Sequence, residues 1–158
     1  MKNLQEIMTS GSLDFEQLTA PQFLLGLLSI FDNRYQTKAD NYFGEISWKQ
    51  FFAIICINLC KESPTIKELS EIMGSSHQNV KQILLKLEKK GYISIASDEQ
   101  DKRKQRILLT EKTLLYEKEH DAGSQEIIKQ IFEDIDSKDL ETTIKTIMRM
   151  EANLEKIV

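Results

Sequence analysis

The chain has little of what disulfide scaffolds, membrane anchors and flexible linkers are made from. Of 158 residues, two are cysteine, two proline and six glycine. So few backbone breakers exclude a long disordered linker. Two cysteines cannot build a disulfide framework; Cys56 and Cys60 sit inside an apolar run and read as a reduced, intracellular thiol pair. Phe23 to Phe31 is too short and interrupted to span a bilayer, and no charged start leads into a signal-type apolar core. A cytoplasmic protein without membrane contact is expected. The histidines, His77 and His120, lie far from the cysteines without finger spacing, so no metal and no cofactor is expected. Nucleophile elbows and Gly-rich phosphate loops are missing, and with them the expectation of an enzyme.

What is present is ordinary in amount and uneven in placement. Apolar residues make up 41% and charged residues 29%, enough for one packed domain. The net charge of −4 argues against a general nucleic-acid binder, yet Ile72 to Thr110 carries +4 and the remainder −8. An acidic chain with one basic segment suggests a local electrostatic footprint.

Periodicity predicts a mainly α fold with a small β-hairpin. From Ala20 to about Asn41, Phe23, Leu24, Leu27, Leu28, Phe31 and Tyr35 recur at helical steps, with Pro21 in the first turn. Thr9-Ser10-Gly11-Ser12 lies in a weakly determined arm before that helix. Ser47 caps a second helix, through Phe51, Phe52, Ile55, Cys56 and Leu59, that ends near Lys61. Thr65-Ile66-Lys67-Glu68 is a capping box opening a short helix that Gly74 closes. Ser75 or Ser76 caps the next, which buries Val80, Ile83, Leu84 and Leu87 and ends at Lys89-Lys90-Gly91. Two short helices across a Gly-Ser turn form a helix-turn-helix. The β-prone runs Tyr92 to Ile95 and Ile107 to Leu109 then flank a cationic tip. Thr110 caps a helix toward Phe132, with Gly123 a candidate kink. Ser137 caps the last, whose stripe Leu140, Ile144, Ile147, Met148, Leu154 and Ile157 has few partners in one small domain and suggests a dimer interface.

With Val80, Ile83, Leu84 and Leu87 facing inward, the opposite face of that helix presents Ser75, Gln78, Gln82, Leu85 and Lys89, flanked by Lys81 and Lys86. Hydroxyls and amides near its start (Ser75, Ser76, Gln78, Asn79, Gln82) suit base edges in a major groove, and Lys81 and Lys86 suit phosphates. His77 reads equally as a solvated helix end or a DNA contact. In the hairpin, Lys102, Arg103, Lys104 and Arg106 suit phosphates or the adjacent minor groove, with Arg103 the leading groove contact and Asp101 a structural residue placed to orient it.

These residues resemble a known family. Asp101-Lys102-Arg103, followed after three residues by Ile107-x-Leu109-Thr110, is similar to the wing signature of the MarR family of transcriptional regulators. Thr65 to Ser70 looks like that family's first helix-turn-helix element, and Val80 through Leu87 to Gly91-Tyr92-Ile93 like its recognition helix and first wing strand. The resemblance implies a single winged helix-turn-helix domain over residues 1–158. Its DNA-binding lobe would span about 47–110, with N- and C-terminal dimerisation helices at about 13–43 and 111–158. It further implies a homodimer on double-stranded DNA, a pseudo-palindromic operator with half-sites about one helical turn apart, and repression relieved by a small molecule. Thr113 departs from the family, which usually has glycine there, and a local adjustment of the helix start is expected.

An inducer pocket for a small aromatic or apolar molecule could form among Phe31, Tyr35, Trp48, Phe51 and Phe52. Two other readings stand beside the regulator: a cysteine-based redox sensor using Cys56 or Cys60, and a winged-helix module that binds protein without DNA. Buried apolar thiols favour neither metal nor redox chemistry.

Overall fold

The computed structural model describes residues 18–98 and 101–157. The arm containing Thr9 to Ser12 lies outside them. Among the described residues are six helices and one hairpin: α1 (Ala20–Phe43), α2 (Trp48–Leu59), α3 (Ile66–Ile72), α4 (His77–Lys89), β1 (Ile93–Ser97), β2 (Gln105–Leu109), α5 (Glu111–Ile131) and α6 (Ser137–Leu154). The chain divides into two compact units, one ending at Leu114 and one beginning at Leu115. No described helix is long and apolar enough to cross a membrane.

The first unit holds the core, and local chemistry sets its helix ends. Ser47 accepts the Gln50 N–H while the Gln50 side chain returns to the Ser47 N–H, and Thr65 and Glu68 do the same for α3. Gly74 (φ 57°) and Gly91 (φ 78°) end α3 and α4 in left-handed backbone that a side chain rarely adopts. In each case the following N–H reaches back five residues, from Ser75 to Ser70 O and from Tyr92 to Leu87 O. Val80, Ile83, Leu84 and Leu87 of α4 are all buried, where α4 packs on α2 (buried Ala53, Ile54, Cys56 and Ile57), α3 (buried Leu69) and β1 (buried Ile93). The apolar run in α2 therefore buries a different face from the one expected. Phe51, Phe52 and Ile55 are half-buried, and Leu59 is 77% exposed, because α3, α4 and β2 pack on the Ala53-Ile57 side.

The hairpin is longer than its apolar runs implied. Ile93 pairs with Leu109 and Ser97 with Gln105, so each strand extends two residues further toward the tip. Asp98 explains the extension. Its N–H donates to Lys104 O (2.9 Å), and its carboxylate accepts the Asp101 N–H (2.9 Å) and the Arg106 Nε (2.5 Å). On its outer edge β2 donates the Ile107 N–H to Pro64 O (3.0 Å), which fastens the wing to the segment before α3.

Thr110 stands directly before α5 as expected, and the start of α6 differs from expectation by one residue. The Thr110 hydroxyl reaches the carbonyls of Gly91 (2.7 Å) and Tyr92 (3.0 Å), tying the α5 entrance to the end of α4. Asp136, not Ser137, caps α6, accepting the Lys138 N–H (2.7 Å) because its carboxylate sits one residue before the first helical position. Thr113 is fully buried, and its hydroxyl donates to the Tyr92 carbonyl. In the second unit α5 runs through Gly123 without a break, His120 stacks on Tyr116 (4.0 Å), and no residue of α6 is buried.

Candidate nucleic-acid interface

The expected DNA-facing residues separate into three groups. At the start of α4, Ser75, Ser76 and Asn79 hold one another: Ser76 Oγ accepts the Asn79 N–H (3.2 Å), and Asn79 Nδ2 donates to Ser75 Oγ (2.8 Å). Their polar atoms shape the helix entrance. His77, Gln78, Lys81, Gln82 and Lys86 are exposed. The tip residues Lys102, Arg103 and Lys104 are exposed as well.

A groove of about 670 Å³ joins the last two groups, with His77 and Lys81 of α4 on one wall and Arg103, Lys104 and Gln105 of the wing on the other. Its floor is the start of α3, including Lys67, Glu68 and Glu71. Lys67 lay outside the basic segment, and only its place as the third residue of the capping box marks it in the sequence. Glu68 is held below the usual carboxylate range, chiefly by the Thr65 N–H and hydroxyl, and Glu71, the other acid in the groove, lies 4.0 Å from Lys67 Nζ.

Arg106 requires correction. Expected as a phosphate contact, its guanidinium instead pairs with Asp98, donates to Ser63 O (3.0 Å) and approaches Glu68 Oε2 (3.4 Å). The Asp98 hydrogen bond raises its pKa further above the ordinary arginine value. Arg106 and Asp98 form the brace of the wing. Asp101 accepts the backbone N–H of Arg103 (3.1 Å), while its carbonyl accepts the Lys104 N–H (2.8 Å), so it shapes the turn and leaves the Arg103 side chain free to point outward.

A second network closes the other end of α4. Lys112 Nζ donates to Glu45 Oε1 (2.7 Å) and to Lys90 O (3.2 Å) and lies 4.3 Å above the centre of the Tyr92 ring. Lys90 Nζ in turn reaches Glu45 O (2.6 Å). The Lys112 hydrogen bond is the main reason that Glu45 titrates below the usual range.

The aromatic cluster is only partly a pocket. Tyr35 meets Trp48 edge-on (4.7 Å) and Trp48 stacks on Phe52 (5.9 Å), and these three line a cavity of about 430 Å³. Its other wall is Met73, Ser75, Asn79 and Ile83. Phe51 turns to Phe43 (4.2 Å) and Phe31 stacks on the far side of Tyr35 (6.2 Å), so neither lines it. Burial raises the Tyr35 pKa. Burial and the neighbouring Cys60 raise that of Cys56, which works against a reactive thiolate; Cys60 Sγ donates to Cys56 O (3.2 Å), and both thiols are free. No group of three potential metal ligands occurs among the described residues.

Residues 46–104, which hold α2, α3, α4, β1 and the wing tip, match the family model described as the MarR family. Over this segment the chain is similar to the MarR family. Solved structures extend the likeness across most of the chain. A MarR/EmrR family transcriptional regulator from Acinetobacter sp. ADP1 superposes with a TM-score of 0.78 at 17% identity, covering 89% of this chain and all (100%) of that one. MepR of S. aureus, solved in complex with DNA, gives 0.74 at 17%, covering 88% and 99%. An organohalide-sensing transcriptional regulator in its 2,4-dichlorophenol-bound form gives 0.77 at 19%, covering 92% and 88%. At these identities the structures establish the winged-helix MarR-type fold. No curated protein matches the chain at a significant level.

Proposed function

We propose that this MarR-type chain is a sequence-specific, DNA-binding transcriptional regulator. It acts as a homodimer on a pseudo-palindromic operator and represses until a small aromatic or apolar inducer binds. The observation that carries the reading is the groove in which α4 and the wing tip converge, with Lys67, Lys81, Arg103 and Lys104 around it. A helix seated in a major groove needs such cations to hold the flanking backbone. The DNA complex of the MepR neighbour supports the same use of the fold.

Dimerisation supplies the second recognition helix, and the exposed apolar residues of α1 and α6 support it: Leu25, Leu27 and Phe31 on one, Ile144, Met148 and Leu154 on the other. Induction fits the cavity lined by Tyr35, Trp48 and Phe52, of a size that takes small organic molecules. The opposite wall includes Ser75 and Asn79, whose mutual hydrogen bond sets the start of α4. An occupant that binds better when this bond is broken shifts α4 away from its DNA-binding position, and release is limited by that preference. The test is selection of bound duplexes from a random pool with the full chain. A symmetric enriched motif is expected; no enrichment, with only weak binding at low salt, overturns the reading.

A further inference from the structure

Leu85 is the one large apolar side chain on the exposed face of α4. It is 45% exposed, and its neighbours one turn away on either side, Lys81, Gln82, Glu88 and Lys89, are polar and exposed. Glu88 is turned to the hairpin, its carboxylate accepting the Ile95 N–H (3.3 Å), so no acid is aimed at the ground that Leu85 faces. Gln78, Lys81, Gln82 and Leu85 follow the i, i+3, i+4, i+7 spacing by which a helix lying in a major groove reaches successive base edges. At 1.5 Å per residue the stripe is about 10 Å long, or roughly three base-pair steps.

We infer that Leu85 is a specificity-determining residue that packs against the 5-methyl group of a thymine in each half-site. This rests on the DNA-binding reading above and sharpens it. In the major groove three of the four bases present only donors and acceptors, and an apolar side chain desolvates those without return; thymine alone offers a methyl group. Gln82, one turn nearer the start of α4, carries the amide that suits an adjacent adenine, so the half-site core pairs an adenine with a thymine. The lysines on either side of Leu85 fix the helix on the backbone and carry no base information.

The test uses the full-length chain and the duplex enriched from the random pool, with each thymine in turn replaced by 2′-deoxyuridine, which differs only by the methyl. Native protein is expected to lose about fourfold in affinity per half-site at one symmetric thymine, the loss typical of one buried methyl. Leu85→Ala is expected to bind the thymine and uracil duplexes equally while unfolding at the native temperature, since its buried face is untouched. An enriched motif with no methyl dependence at any thymine overturns the role of Leu85 and leaves the DNA-binding reading standing. So does a methyl dependence that survives in Leu85→Ala. Absence of any enriched motif overturns both.

Discussion

Two helices of this chain carry the same apolar grammar and meet opposite fates. In α4 every member of the stripe Val80, Ile83, Leu84 and Leu87 is buried; in α6 the stripe Leu140, Ile144, Ile147 and Met148 has no buried member. Helical periodicity declares that a face wants a partner, and it says nothing about where the partner comes from. The first helix finds α2, α3 and the hairpin within its own unit. The second leaves its face open, which a second copy of the chain would close.

Substitutions can break this contrast, and the largest effects belong to the buried side. Leu84→Ala should cost about 2–5 kcal/mol at any protein concentration, read from denaturant midpoints. Ile144→Asp with Met148→Asp should instead leave the winged helix folded and convert dimer to monomer in sedimentation, with loss of operator binding. Equal destabilisation by both sets would remove the distinction.

A second contrast lies within the wing, between a spent and an unspent arginine. Arg103→Ala should make the log-log salt dependence of DNA affinity shallower by about one unit. Arg106→Ala should leave that slope unchanged and speed amide exchange along Gln105–Leu109, because it removes the brace to Asp98 and Ser63. A slope change from Arg106→Ala would return it to the contact surface. Smaller effects are expected at the α4 ends. Ser76→Ala should lower stability by about 1 kcal/mol through loss of the cap on the Asn79 N–H. Glu45, lowered by Lys112, supports the fold above its unfolded pKa, and this support disappears as pH falls through the lower folded value. Because Glu45 and Lys112 are about half exposed, the change should be slight, and Glu45→Gln should flatten that part of the acid limb.

Much of the fold was legible because its signals are local. The Thr65 and Ser47 capping boxes, the glycines after α3 and α4 and the inward stripe of α4 are each decided within one or two turns of chain, and the structure has them where the spacing put them. The interface was legible in outline only. Ser75, Ser76 and Asn79 have the right chemistry for reading bases, yet they bond to one another. Asp98, an acid at the start of a cationic loop, holds that loop together.

Sequence alone therefore determined the elements, the basic segment from Ile72 to Thr110 and the resemblance of its wing, since capping, periodicity and charge composition are properties of neighbouring residues. Tertiary structure decided which face of α2 is buried, how far the hairpin runs, that Tyr35 and Phe52 share a cavity with Asn79, and which arginine remains free. The reason is distance along the chain: Arg106 is spoken for by Ser63 and Glu68, some forty residues earlier, and only a folded core brings them within 3.4 Å.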